Sequence, residues 1–64
     1  MNVHLSHPER RVRIQGPKRV KDLLKELQLV SEAYLVIRGS ELVTEDDILT
    51  DSDEVEIRPV ISGG

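Results

Sequence analysis

A chain of 64 residues has room for one small domain, whose single core buries roughly 60% of the surface its unfolded form exposes, and without cysteine it can carry neither a disulfide nor a thiolate metal site. No stretch approaches the roughly 20 apolar residues of a membrane span, and the polar start Met1-Asn2-Val3-His4 lacks a secretory apolar region, so a soluble, cytoplasmic protein is expected. The net charge of −3 is uneven: residues 1–32 hold seven Lys/Arg against four Asp/Glu, and residues 33–64 hold two against eight, which predicts a charge dipole.

The first segment, Asn2 to Ser6, alternates with Val3 and Leu5 on one face, and Arg11 to Gln15 does the same with Val12 and Ile14. His7-Pro8-Glu9-Arg10 between them reads as a turn, making an antiparallel hairpin. After the break at Gly16-Pro17, the residues Val20, Leu23, Leu24 and Leu27 recur at helical spacing opposite Lys21, Asp22, Lys25 and Glu26, which predicts an amphipathic helix over 19–28. Both of its ends lack the usual chemistry. Arg19 stands where Ser, Thr or Asp normally caps, partly offset by Asp22 at the positive end of the dipole, and Gln28 stands where Gly would ease a left-handed exit.

Tyr34-Leu35-Val36-Ile37-Arg38 is dense enough in β-formers for an inner strand, and Gly39-Ser40 turns it into Glu41-Leu42-Val43. Thr44-Glu45-Asp46-Asp47 reads as a cap leading into a short helical turn that ends at Ile48-Leu49. Asp51-Ser52-Asp53 is a polar turn feeding a last strand, Glu54 to Arg58, with Val55 and Ile57 facing inward. One helix suffices to cover one face of such a sheet, with the first and last strands side by side at its centre. The expected fold is α+β, a β-grasp (ubiquitin-like) mixed sheet with one helix packed across it. Residues 1–58 are expected to form the domain, and 59–64 a flexible C-terminal tail ending in Gly-Gly.

The tail carries the candidate chemistry. Glycine pairs also occur by chance in frayed ends, but Gly63 and Gly64 follow Val60, Ile61 and Ser62, and two apolar residues outside any periodic pattern suit a docking grip. Residues without Cβ can thread a narrow channel and bring a carboxylate against the α-phosphate of ATP. An acyl-adenylate formed there accepts a sulfur nucleophile and yields a terminal thiocarboxylate.

The helix Val20-Lys21-Asp22-Leu23-Leu24-Lys25-Glu26-Leu27, the hairpin Val36 to Val43, the turn and strand Asp51 to Ile57 and the tail Val60-Ile61-Ser62-Gly63-Gly64 together resemble the prokaryotic ubiquitin-like sulfur carriers over the whole chain. These include the thiamin-biosynthesis carrier, the small subunit of molybdopterin synthase and the carrier for tRNA 2-thiouridine. The resemblance implies a carrier and co-substrate rather than an enzyme, with no bound cofactor and with ATP used by an E1-like adenylyltransferase. Gly64 would be adenylated and then thiocarboxylated, Gly63 and the stalk Val60 to Ser62 would be inserted into the enzyme, and a sulfur donor enzyme and a downstream sulfurtransferase or synthase would complete the relay. Gln28 and Ser52 depart from relatives, which often have Gly there. Pro8-Glu9-Arg10, Arg38-Gly39, Glu41 to Thr44 and the ending Ile61 to Gly64 look most like the tRNA-thiolation carriers, some of which also modify proteins. The molybdopterin type, usually longer with a Phe-rich face, is the second reading, because this chain has no Phe and a hydrophobic sheet surface for a permanent large subunit finds weak support.

Other signals are weaker. His4 and His7 with Glu9 make a poor metal site, and no metal is expected. The cations Arg10, Arg11, Arg13, Lys18, Arg19, Lys21 and Lys25 could meet phosphates, which keeps a stand-alone β-grasp RNA-binding adaptor as the alternative of another class, but ordinary solvation fits their alternating faces better, so no direct nucleic-acid contact is expected. The acidic residues Glu45, Asp46, Asp47, Asp51, Asp53, Glu54 and Glu56 lack calcium-loop spacing and suit steering toward a basic groove on the activating enzyme. The free carrier is expected to be a monomer.

Overall fold

The computed structural model describes residues 1–6 and 9–60. Strands β1 (Asn2–Leu5) and β2 (Arg10–Arg13) form the expected hairpin, with Val3 opposite Val12. The second strand begins one residue earlier than its alternation suggested, and Ile14 continues the ladder beyond it: Met1 and Ile14 exchange main-chain bonds of 2.7 and 2.9 Å. His7 and Pro8, the expected turn residues, lie outside the described residues.

Strand β3 is the dipeptide Lys18–Arg19, and helix α1 runs over Val20–Glu26 with Leu27 as its C-cap, inside the span that periodicity predicts. Its buried residues are Val20, Leu23 and Leu24. Seven residues are too few to hold a helix in water by propensity, so the buried stripe holds it. No side chain caps its start, as the sequence indicated at Arg19. The loop after β5 does so instead: Val20 N–H donates to Asp47 O at 2.9 Å and Lys21 N–H to Glu45 O at 3.0 Å. At the other end Gln28 takes the left-handed conformation, φ 60, while Leu29 N–H reaches back to Leu24 O and Gln28 N–H to Lys25 O. That pair of bonds is a Schellman ending built without glycine.

After a 3₁₀ turn at Ser31–Ala33 come β4 (Tyr34–Arg38) and β5 (Glu41–Val43), joined by Gly39 at φ +63 and Ser40. The helical turn expected after Thr44 is not formed. Ile48–Leu49 is strand β6, antiparallel to β3, with Leu49 opposite Lys18. The reason is local. The Asp47 carboxylate accepts the Thr44 N–H at 2.7 Å and its hydroxyl at 3.2 Å, closing a tight turn, and the carbonyls that a helix would have used at 45 and 47 are already committed to α1. Asp53 closes the next turn in the same way by accepting Thr50 N–H at 2.8 Å, and β7 (Glu54–Pro59) follows.

The five-stranded sheet has the order β2-β1-β7-β4-β5, with β1 and β7 parallel at its centre and every other pairing antiparallel. This is the β-grasp arrangement expected. Its inner face supplies Val3, Leu5, Val36, Val43, Val55 and Ile57, which meet Val20, Leu23 and Leu24 of α1 together with Leu49 and Ile14 in one core. Removing a Leu side chain from such a core costs about 2–5 kcal/mol, of the order of the whole stability of a domain this size. No described helix is long and apolar enough to cross a membrane.

Candidate functional site

The root of the tail is fixed by the central strand. Pro59 ends β7 opposite Tyr34, and Val60 N–H donates to Ala33 O of the 3₁₀ turn at 2.8 Å, so main-chain order reaches at least Val60. Val60 itself is 44% exposed. Ile61, Ser62, Gly63 and Gly64, the other residues that the sequence assigned to the stalk and the reacting end, lie outside the described residues.

Among the described residues one helix covers the sheet and its other face is open, and the strand registers fix what that face displays. One row runs Arg11, His4, Glu56, Ile37, Leu42 across β2, β1, β7, β4 and β5. The next row toward the tail pairs Arg58 with Leu35. Leu35 is 43% exposed and Leu42 62%, with Ile37 half-buried between them. These side chains make an apolar patch on the β4–β5 side of the open face, one row from the strand that carries the tail. Isolated exposed apolar residues are ordinary, but three together on neighbouring strands make a candidate docking surface. Val30, also exposed, accepts from Ala33 N–H within the turn that holds Val60.

Sequence reasoning assigned the grip to Val60 and Ile61, and found weak support only for a hydrophobic sheet surface of the kind a permanent large subunit needs. The signal was present in Tyr34-Leu35-Val36-Ile37: successive side chains on a strand point to opposite faces, so an unbroken apolar run must place half its residues on the side the helix does not cover.

Around the patch, charges are mostly paired. Arg58 Nε meets Glu56 Oε2 at 2.6 Å, and Asn2 donates to Glu54 at 3.2 Å. Arg38 donates to Glu41 at 2.9 Å and to Ile48 O at 3.0 Å; its hydrogen bond to Glu41 leads the causes that raise its pKa above the usual value, so it remains a fixed cation tying β6 to the β4–β5 hairpin. Arg19 and Lys21 both face Asp46, at 3.9 and 3.6 Å, so part of the sequence dipole is neutralised across the fold. His4 Nε2 lies 3.1 Å from Glu9 Oε1, while His7 lies outside the described residues. Among the described residues no three His, Cys, Asp or Glu side chains come together as a metal site.

A model of the ThiS family matches residues 3–64, from the first core position of β1 through both terminal glycines. The chain belongs to the ThiS family. As a ThiS-family protein it is also 38% identical, over 65 aligned positions that cover 100% of each chain, to a protein of Thermus thermophilus described as sulfur carrier protein TtuB. The match extends over the tail as well as the body, and the β-grasp sheet with its single helix is the fold of this family.

Proposed function

We propose that this chain is a sulfur carrier of the ThiS and TtuB type, a co-substrate rather than a catalyst, whose Gly64 carboxylate is the working group. The observation that carries the reading is the full-length likeness to TtuB, which extends through Gly63-Gly64, on a body whose central strand ends at Pro59, four residues before Gly63 in the sequence. In this scheme the Gly64 carboxylate attacks the α-phosphorus of ATP on an E1-like adenylyltransferase and releases pyrophosphate. A donor's persulfide sulfur then attacks the acyl-adenylate and AMP leaves; reduction of the resulting acyl disulfide by a thiol frees the thiocarboxylate. Only positioning is asked of the carrier: the patch of Leu35, Ile37 and Leu42 docks on the activating enzyme, while Val60 to Ser62 and Gly63 pass into its channel.

Delivery to tRNA is the acceptor this reading favours, on the hairpin and tail features that resemble the tRNA-thiolation carriers; thiamin thiazole and molybdopterin are the other acceptors of the same chemistry. The activated carboxyl also suits transfer to protein lysines. Incubation with a cognate adenylyltransferase, ATP and sulfide should raise the mass by about 16 Da, sulfur replacing oxygen at Gly64. An unchanged mass with an enzyme shown to be active on another carrier overturns the proposal. Deletion of Gly64 should abolish both the shift and any high-mass conjugates, and conjugates that persist without Gly64 refute the modifier role.

A further inference from the structure

Among the described residues strand β2 is a free edge of the sheet, and three of its four residues are arginines. Met1 and Ile14 exchange both main-chain bonds, and bonded and unbonded pairs alternate along an antiparallel ladder, so Val3–Val12 and Leu5–Arg10 are bonded pairs. Arg11 and Arg13 therefore turn their N–H and C=O groups away from β1. The other side of β1 agrees: Asn2 N–H donates to Asp53 O and Ser6 N–H to Ile57 O, so the even-numbered residues of β1 serve β7. The side chains of Arg11 and Arg13 lie on the open face, opposite His4 and Asn2, both arginines are exposed, and neither makes an ion pair among the described residues. Each thus offers a main-chain donor, a main-chain acceptor and a guanidinium at one position of the edge.

We propose that this edge takes up an extended acidic segment of a partner protein as a sixth, antiparallel strand, with Asp or Glu opposite Arg11 and Arg13 and an apolar residue opposite Val12. Directly opposed residues share a face, so the carboxylates meet the guanidinium groups while the apolar residue joins half-buried Val12 on the helix side. The carboxylates reach the two guanidinium groups from the β2 side of an open-face groove of about 600 Å³, whose opposite wall, on β7, carries Glu54.

Two other occupants fit worse. A second copy pairing β2 with β2 sets arginine against arginine, and the other free edge, β5, carries Leu42 on the open face where a carboxylate is needed. A phosphate backbone lying along the groove meets Glu54 in its wall, and the one aromatic side chain, Tyr34, is in register with the core face rather than the groove. A strand added outside β2 stays about 14 Å from β7 and its carboxylates, beyond the screening length at physiological salt.

The test is native-state amide exchange of the whole protein at physiological salt with a capped Glu-Val-Glu-Val-Glu peptide at millimolar concentration. The Arg11 and Arg13 amides should slow roughly fivefold or more, while Val12, already bonded to Val3, should not change. A Lys-Val-Lys-Val-Lys peptide should give no protection to the native chain but should protect the same amides in the double variant Arg11→Glu, Arg13→Glu. Arg11 and Arg13 exchange unchanged by the acidic peptide, equal protection by both peptides, or a response only to oligouridylate RNA would each overturn the proposal. None of these outcomes depends on Gly64, so the sulfur-carrier reading stands or falls separately.

Discussion

At the scale of single residues, the sharpest local conflict between sequence and conformation is Gln28. Its φ of 60 is imposed by the two bonds that end α1, and a side chain in that region costs about 1–2 kcal/mol relative to glycine. Gln28→Gly relieves this strain but widens the unfolded ensemble, which leaves a net gain of about 0.5–1 kcal/mol. The expected outcome is a thermal midpoint raised by roughly 3–6 °C, measured by circular dichroism, and a midpoint that falls would show that the Gln28 side chain makes a contribution of its own. Gly39, at φ +63, already has the residue that its turn needs; a Cβ there would meet nothing within 4 Å, so the requirement is conformational and not one of space.

Among the elements, the loop over residues 44–49 decides more than its length suggests. The Asp47 side chain closes the turn, the turn aims the carbonyls of Glu45 and Asp47 at the first amides of α1, and Ile48–Leu49 then pairs with β3. Asp47→Ala should therefore cost about 1–2 kcal/mol, because two hydrogen bonds are lost and the helix start loses its alignment. Glu45→Ala should be nearly neutral, since only its main-chain carbonyl is used. Equal losses in urea denaturation of the two variants would disprove this division of roles. The same loop shows where reading the sequence stops. The hairpins, helix and central strands follow from alternation and helical spacing, which are local. Whether Thr44 to Leu49 coils or extends depends on Lys18, Arg19 and the unsatisfied amides of Val20 and Lys21, some 25 residues earlier, and no local pattern carries that information. Arg19 signalled the problem by being unable to cap; the answer lay in another segment.

For the molecule as a whole, the proposed division of work between body and tail can be measured. If Gly64 supplies the reacting carboxylate and the open face supplies the grip, damage to each should appear in a different kinetic constant. Leu42 is 62% exposed and opposes Ile37 across β5 and β4, so Leu42→Asp removes apolar docking surface without disturbing the core. Its stability should stay within about 0.5 kcal/mol of the native chain. With the activating enzyme, the KM for the carrier should rise about tenfold or more while kcat is little changed, because the lost contact is made equally in the ground state and the transition state. Raising the carrier concentration should restore the full adenylation rate. Deletion of Gly64 should do the opposite, leaving a carrier that still competes with the native chain for the enzyme yet is never turned over. If Leu42→Asp lowered kcat with KM unchanged, the β4–β5 face would be positioning the tail for reaction instead of holding the body, and the assignment of the patch to docking would have to be given up.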